Sequence, residues 1–315
     1  MIYIILTILT FLIVGFIAYV YRWNIVNPNK NSSIKIHNIE RTFIYHLPKK
    51  INIHPKLIIV YHGIGMKAFM MQIFTGHEFD LLADKYQNAI IVYPQGCNEK
   101  WNASRKPTPF PAKKQNIDDA DFTEQIIFYF KKNYEIDNNE IYAVGFSNGG
   151  EMVLKLANLK PEIFKGFAVI SANLPDEKDN DCINHQTPVS LIYFSGIKDP
   201  IIPFNGGSVI LNGRNFDPVM STELTLQHWL NSSSCSTIET SIIEFPDNKI
   251  SGTATAIQKN YHSASTGKQI SFVKIINGGH TIPNSNFRIP IKKIGNLNKD
   301  IDSPKMIWDF FMGLK

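Results

Sequence analysis

Ser147 stands in Gly145-Phe-Ser147-Asn-Gly149, directly after an apolar strand-like run, Glu140 to Gly145, and directly before a helical pattern, Gly149 to Leu159. This G-x-S-x-G spacing suits a serine held on a sharp strand-to-helix turn, with its hydroxyl projecting above a sheet. Gly145 and Gly149 leave room for the backbone to pack closely there. The helix N-terminus then sets amide N–H groups and a positive dipole end beside a reacting carbonyl. The chemistry is acyl transfer to Ser147.

Such a serine needs a base, and the base an orienting acid, in the chain order Ser, Asp/Glu, His. Of the nine histidines, His37, His46, His54, His62 and His77 precede Ser147. His185, His228 and His262 lie in polar or helical stretches. His280, in Asn277-Gly-Gly-His280-Thr, follows an apolar run on a glycine loop and is the candidate base. Asp199, in Gly196-Ile-Lys-Asp199-Pro200, follows the run Val189 to Ser195 and is the candidate acid. Its rivals Asp176, Asp179 and Asp181 lie in a hydrophilic run, and Asp118 and Asp119 precede the serine. Oxyanion stabilisation needs two N–H donors. The backbone amide of Asn148 is one candidate. The other is Ile64, in His62-Gly63-Ile64-Gly65 after the run Lys56 to Tyr61.

The elements that must position these residues are legible as short apolar runs alternating with helical spacing. Thr42 to Leu47, Lys56 to Tyr61, Ala89 to Tyr93, Glu140 to Gly145, Phe167 to Ser171, Val189 to Ser195 and Ile270 to Ile276 read as strands. Phe79 to Gln87, Asp121 to Tyr134, Gly149 to Leu159 and Ser303 to Met312 read as helices. The alternation predicts an α/β fold, a mostly parallel sheet with helices on both faces. Residues 24–40 read as a polar tether, and Pro107 to Gln115 and Asn212 to Pro218 as surface excursions.

Ile2 to Tyr21 is continuous, uncharged and long enough to cross a bilayer of about 30 Å. No basic start or Ala-x-Ala ending marks a cleaved signal, so residues 1–22 are expected to form a transmembrane anchor. Arg22, Lys30 and Lys35 after it favour a cytoplasmic C-terminal side. The full chain of 315 residues is 44% apolar and 19% charged, the balance of an ordinary globular chain. The net charge of +5 is scattered, with no basic stripe interleaved with aromatics, which excludes a nucleic-acid partner. No C-x-x-C pair, phosphate loop or histidine cluster calls for a metal or cofactor. Cys97, Cys182 and Cys235 permit at most one internal disulfide.

Tyr61-His-Gly63, Val92-Tyr-Pro-Gln-Gly96, Trp101-Asn102, Asp118-Asp119, Gly145-Phe-Ser-Asn-Gly-Gly150, Asn173-Leu-Pro175, Asp199-Pro-Ile-Ile-Pro-Phe-Asn-Gly-Gly207, Gly278-Gly-His280-Thr and Trp308-Asp-Phe-Phe311 occur in that order. Together they resemble the polyhydroxybutyrate depolymerase-like esterases of the α/β-hydrolase superfamily, relatives of feruloyl and acetylxylan esterases. The resemblance runs from about Arg41 to the end, and makes 41–315 one catalytic domain. It implies a serine esterase with Ser147 as nucleophile, Asp199 as acid and His280 as base. It also implies an extracytoplasmic, membrane-anchored or secreted domain, and a Cys182–Cys235 disulfide in that setting. The substrate implied is a small-molecule or oligomeric ester. A serine peptidase or thioesterase on the same fold, or a silent membrane-tethered binding protein, are the alternatives. Two positions depart from the family. Ile282 stands where a Trp is frequent, and Ile64-Gly65-Met66 replaces a small polar turn. About thirty-five residues follow His280, short of a separate domain for gripping solid polyester. Soluble short-acyl or aryl esters, or short hydroxyalkanoate oligomers, are therefore expected.

Overall fold

Side chains that alternate between two faces of continuous apolar strands set the architecture. A computed structural model describes residues 29–106, 111–182, 187–235, 240–245, 255–284 and 292–315. The run read as a membrane anchor lies outside them. Among the described residues no helix is long and apolar enough to cross a membrane.

The strands are β1 (Lys30–Ile36), β2 (Ile39–His46), β3 (Lys56–Tyr61), β4 (Ala89–Pro94), β5 (Ile141–Phe146), β6 (Gly166–Ile170), β7 (Leu191–Gly196), β8 (Gly207–Leu211), β9 (Arg214–Val219), β10 (Ser241–Phe245), β11 (Ala256–His262) and β12 (Gln269–Ile275). The longer helices are α1 (Ala68–Phe74), α2 (Glu78–Tyr86), α3 (Asp119–Tyr134), α4 (Asn148–Leu159), α5 (Thr222–Ser232) and α6 (Ser303–Gly313). Ten strands form one sheet in the order β1-β2-β4-β3-β5-β6-β7-β12-β11-β10. The run from β4 to β12 is parallel, and antiparallel pairs extend it at both edges.

Along β3, Leu57, Ile59 and Tyr61 enter one core while Ile58 and Val60 enter the other. β6 and β7 alternate in the same way, with Phe167 and Tyr193 on the first face and Ala168 and Phe194 on the second. α3, α4 and α5 cover the first face through Phe122, Phe130, Met152, Leu156 and Trp229. α1, α2 and α6 cover the second through Met71, Phe79, Leu82, Ile307 and Trp308. A period of two with both faces buried is what a mostly parallel sheet requires. Because β5, β7 and β12 run in parallel, the loops after them emerge along one edge of the sheet, where ligands bind in open α/β folds.

Two expectations need correction. The stretch read as a tether supplies β1, which pairs with β2 from Lys30↔Tyr45 to Ile36↔Ile39. As an edge strand with mostly exposed side chains it needs little apolar content, so its sequence looks like linker. Asn212 to Pro218 is an excursion from the main sheet, as expected. It forms the tip and second strand of the β8–β9 hairpin, which stands apart from the main sheet around its own cluster of Ile202, Val209 and Val219. The cysteines are free thiols. Cys182 Sγ lies 3.0 Å from Ser104 Oγ, and Cys235 Sγ contacts the Lys268 carbonyl at 3.8 Å, so each is engaged elsewhere. Burial pushes both thiols above their usual range.

One buried ion pair ties the sheet edge to the segment after β4. Arg41 on β2 donates to Asp119 Oδ1 at 2.7 Å, with its guanidinium 4.2 Å from the centre of the Phe122 ring. Asp119 Oδ2 accepts the Asn102 amide at 2.7 Å. Burial pushes the Asp119 carboxyl up, and Arg41 opposes the shift. Removing one member leaves a buried charge without its partner. Asp119→Asn should therefore lose about 3–5 kcal/mol in urea unfolding, and the apolar pair Arg41→Met with Asp119→Leu should recover most of it.

Candidate active site

The turn from β5 into α4 forces Ser147 to φ 54° and ψ −124°, a conformation that non-glycine residues rarely adopt. The turn is held from both sides. The Ser147 amide donates to the Ile170 carbonyl of β6, and its carbonyl accepts from the Glu151 amide, each at 2.9 Å. The flanking glycines are dictated by space. A Cβ on Gly145 would lie 2.2 Å from the Gly149 carbonyl oxygen, and one on Gly149 would lie 2.4 Å from that of Tyr61.

The loops after β7 and β12 are bonded to each other, which brings Asp199 and His280 together. The Ile197 amide donates to Ile275 O at 3.0 Å and the Lys198 amide to Gly278 O at 2.9 Å. A Cβ on Gly196 would sit 2.4 Å from Gly278 O, so this approach requires glycine. His280 Nδ1 lies 2.7 Å from Asp199 Oδ2, and His280 Nε2 lies 2.8 Å from Ser147 Oγ. Asp199 Oδ1 accepts the amides of Ile201 and Ile202 at 2.8 and 2.9 Å. Both carboxylate oxygens are thereby engaged, and the carboxylate can fix the imidazole tautomer that leaves Nε2 free to take the Ser147 proton. All three side chains are buried, and the Phe146 ring packs 5.0 Å from the imidazole. The rival Asp181 pairs instead with Lys113.

The two expected oxyanion amides flank the same serine. Asn148 opens α4, where a first-turn N–H has no acceptor in its own helix. Around Ile64, the Gly65 amide is taken by Glu99 O and the Met66 amide by Gly63 O. Ile64, Asn148 and Ser147 line one small cavity. Trp101 braces the two amide-bearing segments. Its backbone N–H donates to Asn148 Oδ1 and its indole N–H to the His62 carbonyl, both at 2.8 Å. Next to it, fully buried His62 uses both ring nitrogens. Nδ1 donates to Gly63 O at 2.7 Å, and Nε2 accepts the Gly96 amide at 2.9 Å. Asn148 Nδ2 donates to Glu151 Oε2 at 3.0 Å, and Glu151 pairs with Arg105 at 2.9 Å.

Sequence reasoning named the three converging residues but missed Arg105, Glu151 and the bracing role of His62. Glu151 carried a signal. It lies four residues after Ser147, so it faces the same side of α4, and it is a charged residue in an otherwise buried stretch. Among the described residues no three His, Cys, Asp or Glu side chains converge as metal ligands.

Residues 34–265 match the family model described as "Putative esterase". The chain belongs to this esterase family. "Putative esterase NocK" of Nocardia uniformis subsp. tsuyamanensis is 25% identical over 263 residues, which cover 82% of this chain and 74% of that protein. "Probable feruloyl esterase C" of Aspergillus flavus is 25% identical over 182 residues, covering 56% of this chain and 62% of that protein, so the chain spans about three-fifths of this relative. In fold, the chain is similar to an acetyl xylan esterase from Aspergillus awamori, with a TM-score of 0.56 at 12% identity over 81% of this chain and 95% of that one. As a member of the esterase family the protein is a carboxylic ester hydrolase with an α/β architecture.

Burial without a counter-charge lowers the His62 pKa to about 4, and the bond to the Gly63 carbonyl opposes the shift. The unfolded chain therefore binds a proton that the folded chain refuses between about pH 6.5 and 4. The stability is complete above that window and lost as pH falls through it, by about 3 kcal/mol. Urea unfolding at pH 7 and pH 4 should show this loss, and His62→Gln should flatten it.

Proposed function

We propose that the esterase works through a Ser147–His280–Asp199 triad and a covalent acyl-enzyme. The observation that carries this reading is the unbroken line from Ser147 Oγ through His280 to Asp199, at 2.8 and 2.7 Å. His280 Nε2 takes the hydroxyl proton as Oγ attacks the ester carbonyl. The negative charge that develops on the carbonyl oxygen is received by the amides of Asn148 and Ile64. His280 then gives its proton to the departing alcohol and leaves an acyl group on Ser147. Water, deprotonated by His280, releases the acid and restores the serine. Asp199 holds the imidazole and stays ionised.

The acid half of the ester is short-acyl, hydroxyalkanoate or feruloyl-type, and the cavity beside Ser147 decides among these. The family membership supports the ester, and the order of motifs supports the polyhydroxybutyrate depolymerase-like character. The apolar run Ile2 to Tyr21 is read as a membrane anchor with the catalytic domain outside the cytoplasm. A chain starting at Asn27 keeps β1 and the mutual side-chain bonds of Asn29 with Gln72. It should fractionate as soluble and active, with the full chain in the membrane pellet.

Ser147→Ala and His280→Ala should each lower 4-nitrophenyl ester hydrolysis by at least about 10⁴-fold, and the double variant should be little worse than either alone. Asp199→Asn should cost about 10³–10⁴-fold by fixing the wrong tautomer, while Asp181→Asn stays near wild type. Labelling by a fluorophosphonate probe should vanish in Ser147→Ala. Substantial turnover by purified Ser147→Ala would sink the triad.

A further inference from the structure

The cavity beside Ser147 has two unlike walls. One is charged and braced, consisting of Arg105 and Glu151, which are both buried and 2.9 Å apart. The other is apolar, consisting of Ile201 and Ile202 after β7 and Val209, Leu211 and Phe216 from the β8–β9 hairpin. Ile64 and Asn148 complete it. Its free volume is about 20 Å³, close to the 10–15 Å³ that one water needs.

Chemistry decides which half of an ester enters. The departing alcohol must lie beside His280, which gives it a proton. His280 is not among the residues lining this cavity, whereas Ser147, Asn148 and Ile64 are. The group attached to the carbonyl carbon therefore points into it. Resting on the triad reading above, we propose that this cavity is an acyl-size gate. It admits an acetyl-sized group and excludes long aliphatic and hydroxycinnamoyl acids, and Phe216 and Leu211 are the residues that set the limit.

The two walls differ in how far they can yield. Glu151 holds Asn148 Nδ2 and Arg105 together, and Arg105 Nη1 reaches the Asp217 carbonyl on β9 at 3.4 Å. Moving that wall would separate a buried ion pair and disturb the residue next to the nucleophile. A longer alkyl chain pressed on it would also sit against two charges shielded from water, an unfavourable surface for methylenes. The hairpin wall is different. Its packing is its own small cluster, and it leaves the sheet through Gly206 and Gly207, at φ +78° and +107°. Cutting side chains there enlarges the cavity without opening either main core. In register, Phe216 lies opposite Val209, and Leu211 opposite Arg214 next to the tip. Shortening Phe216 or Leu211 thus removes bulk from the lining and leaves Val219, at the base of the hairpin cluster, in place.

The test is kcat/KM for 4-nitrophenyl acetate, butyrate and octanoate and for methyl ferulate, each divided by its own uncatalysed rate. The wild-type chain should favour acetate over octanoate by at least about tenfold, the scale on which apolar pockets sort neighbouring sizes, and should leave methyl ferulate almost untouched. Phe216→Ala, and more so Phe216→Ala with Leu211→Ala, should reduce or reverse the acetate-to-octanoate ratio by about tenfold. Phe216→Leu should fall between, and serves if the alanine variants do not fold. A merely structural role for Phe216 would lower all rates together and leave the ratio unchanged. A wild-type chain equally active on octanoate, or one that prefers methyl ferulate, overturns the gate, as does an unchanged ratio in the variants. If no ester is turned over and the fluorophosphonate probe fails to label Ser147, the triad reading falls and the gate falls with it. Labelling with a flat acyl profile removes the gate alone.

Discussion

The structure depends on how closely three backbone segments approach at the end of β5. The first turn of α4 lies so near the ends of β5 and β3 that no side-chain carbon fits at Gly145 or Gly149. This crowding puts Ser147 in a strained, positive-φ conformation at the mouth of the sheet. The strain of such a residue persists only where its surroundings over-determine it, and here the Ile170 carbonyl and the Glu151 amide do so. With the serine fixed, every other part of the site has one place to go. The imidazole must come over it from β12, the carboxylate must come from the neighbouring β7, and the amide donors must lie beside α4 and after β3.

A second level of order lies behind these residues. His62, Trp101, Asn148, Glu151 and Arg105 form a connected polar set under the loops. Arg41, Asp119 and Asn102 fasten the segment that carries Trp101. Buried polar groups of this kind add little net stability when satisfied and cost much when broken. Their effect is to leave the loops a single arrangement. The sheet and its two cores provide the free energy of folding, and the polar set provides the precision of the mouth.

The sequence disclosed the parts that obey local rules. The strand bounds at β3, the run into Ser147 and the helix after it follow from apolar runs and glycine spacing, and the order Ser, Asp, His located the three converging residues. What it hid depends on contacts between distant segments. β1 is polar because an edge strand needs only a hydrogen-bonding partner, and nothing in Lys30–Ile36 names β2 as that partner. β10, at the opposite edge, is exposed along most of its length for the same reason. α5 was legible and was missed. Ser221 caps it, and Leu226, Trp229 and Leu230 repeat at helical spacing on its buried side. The roles of Arg105 and His62 were not legible, because each is defined by partners dozens of residues away.

The β8–β9 hairpin has a consequence for descent. It packs on the loop after β7 through a small cluster of Ile202, Val209 and Val219, and contributes no strand to the main sheet. Drift in its sequence can therefore proceed with little penalty to folding, whereas drift around Ser147 meets backbone within a van der Waals radius. Such a module is a natural cassette. Lineages sharing this scaffold can exchange or reshape it and diverge in diet while their chemistry stays the same.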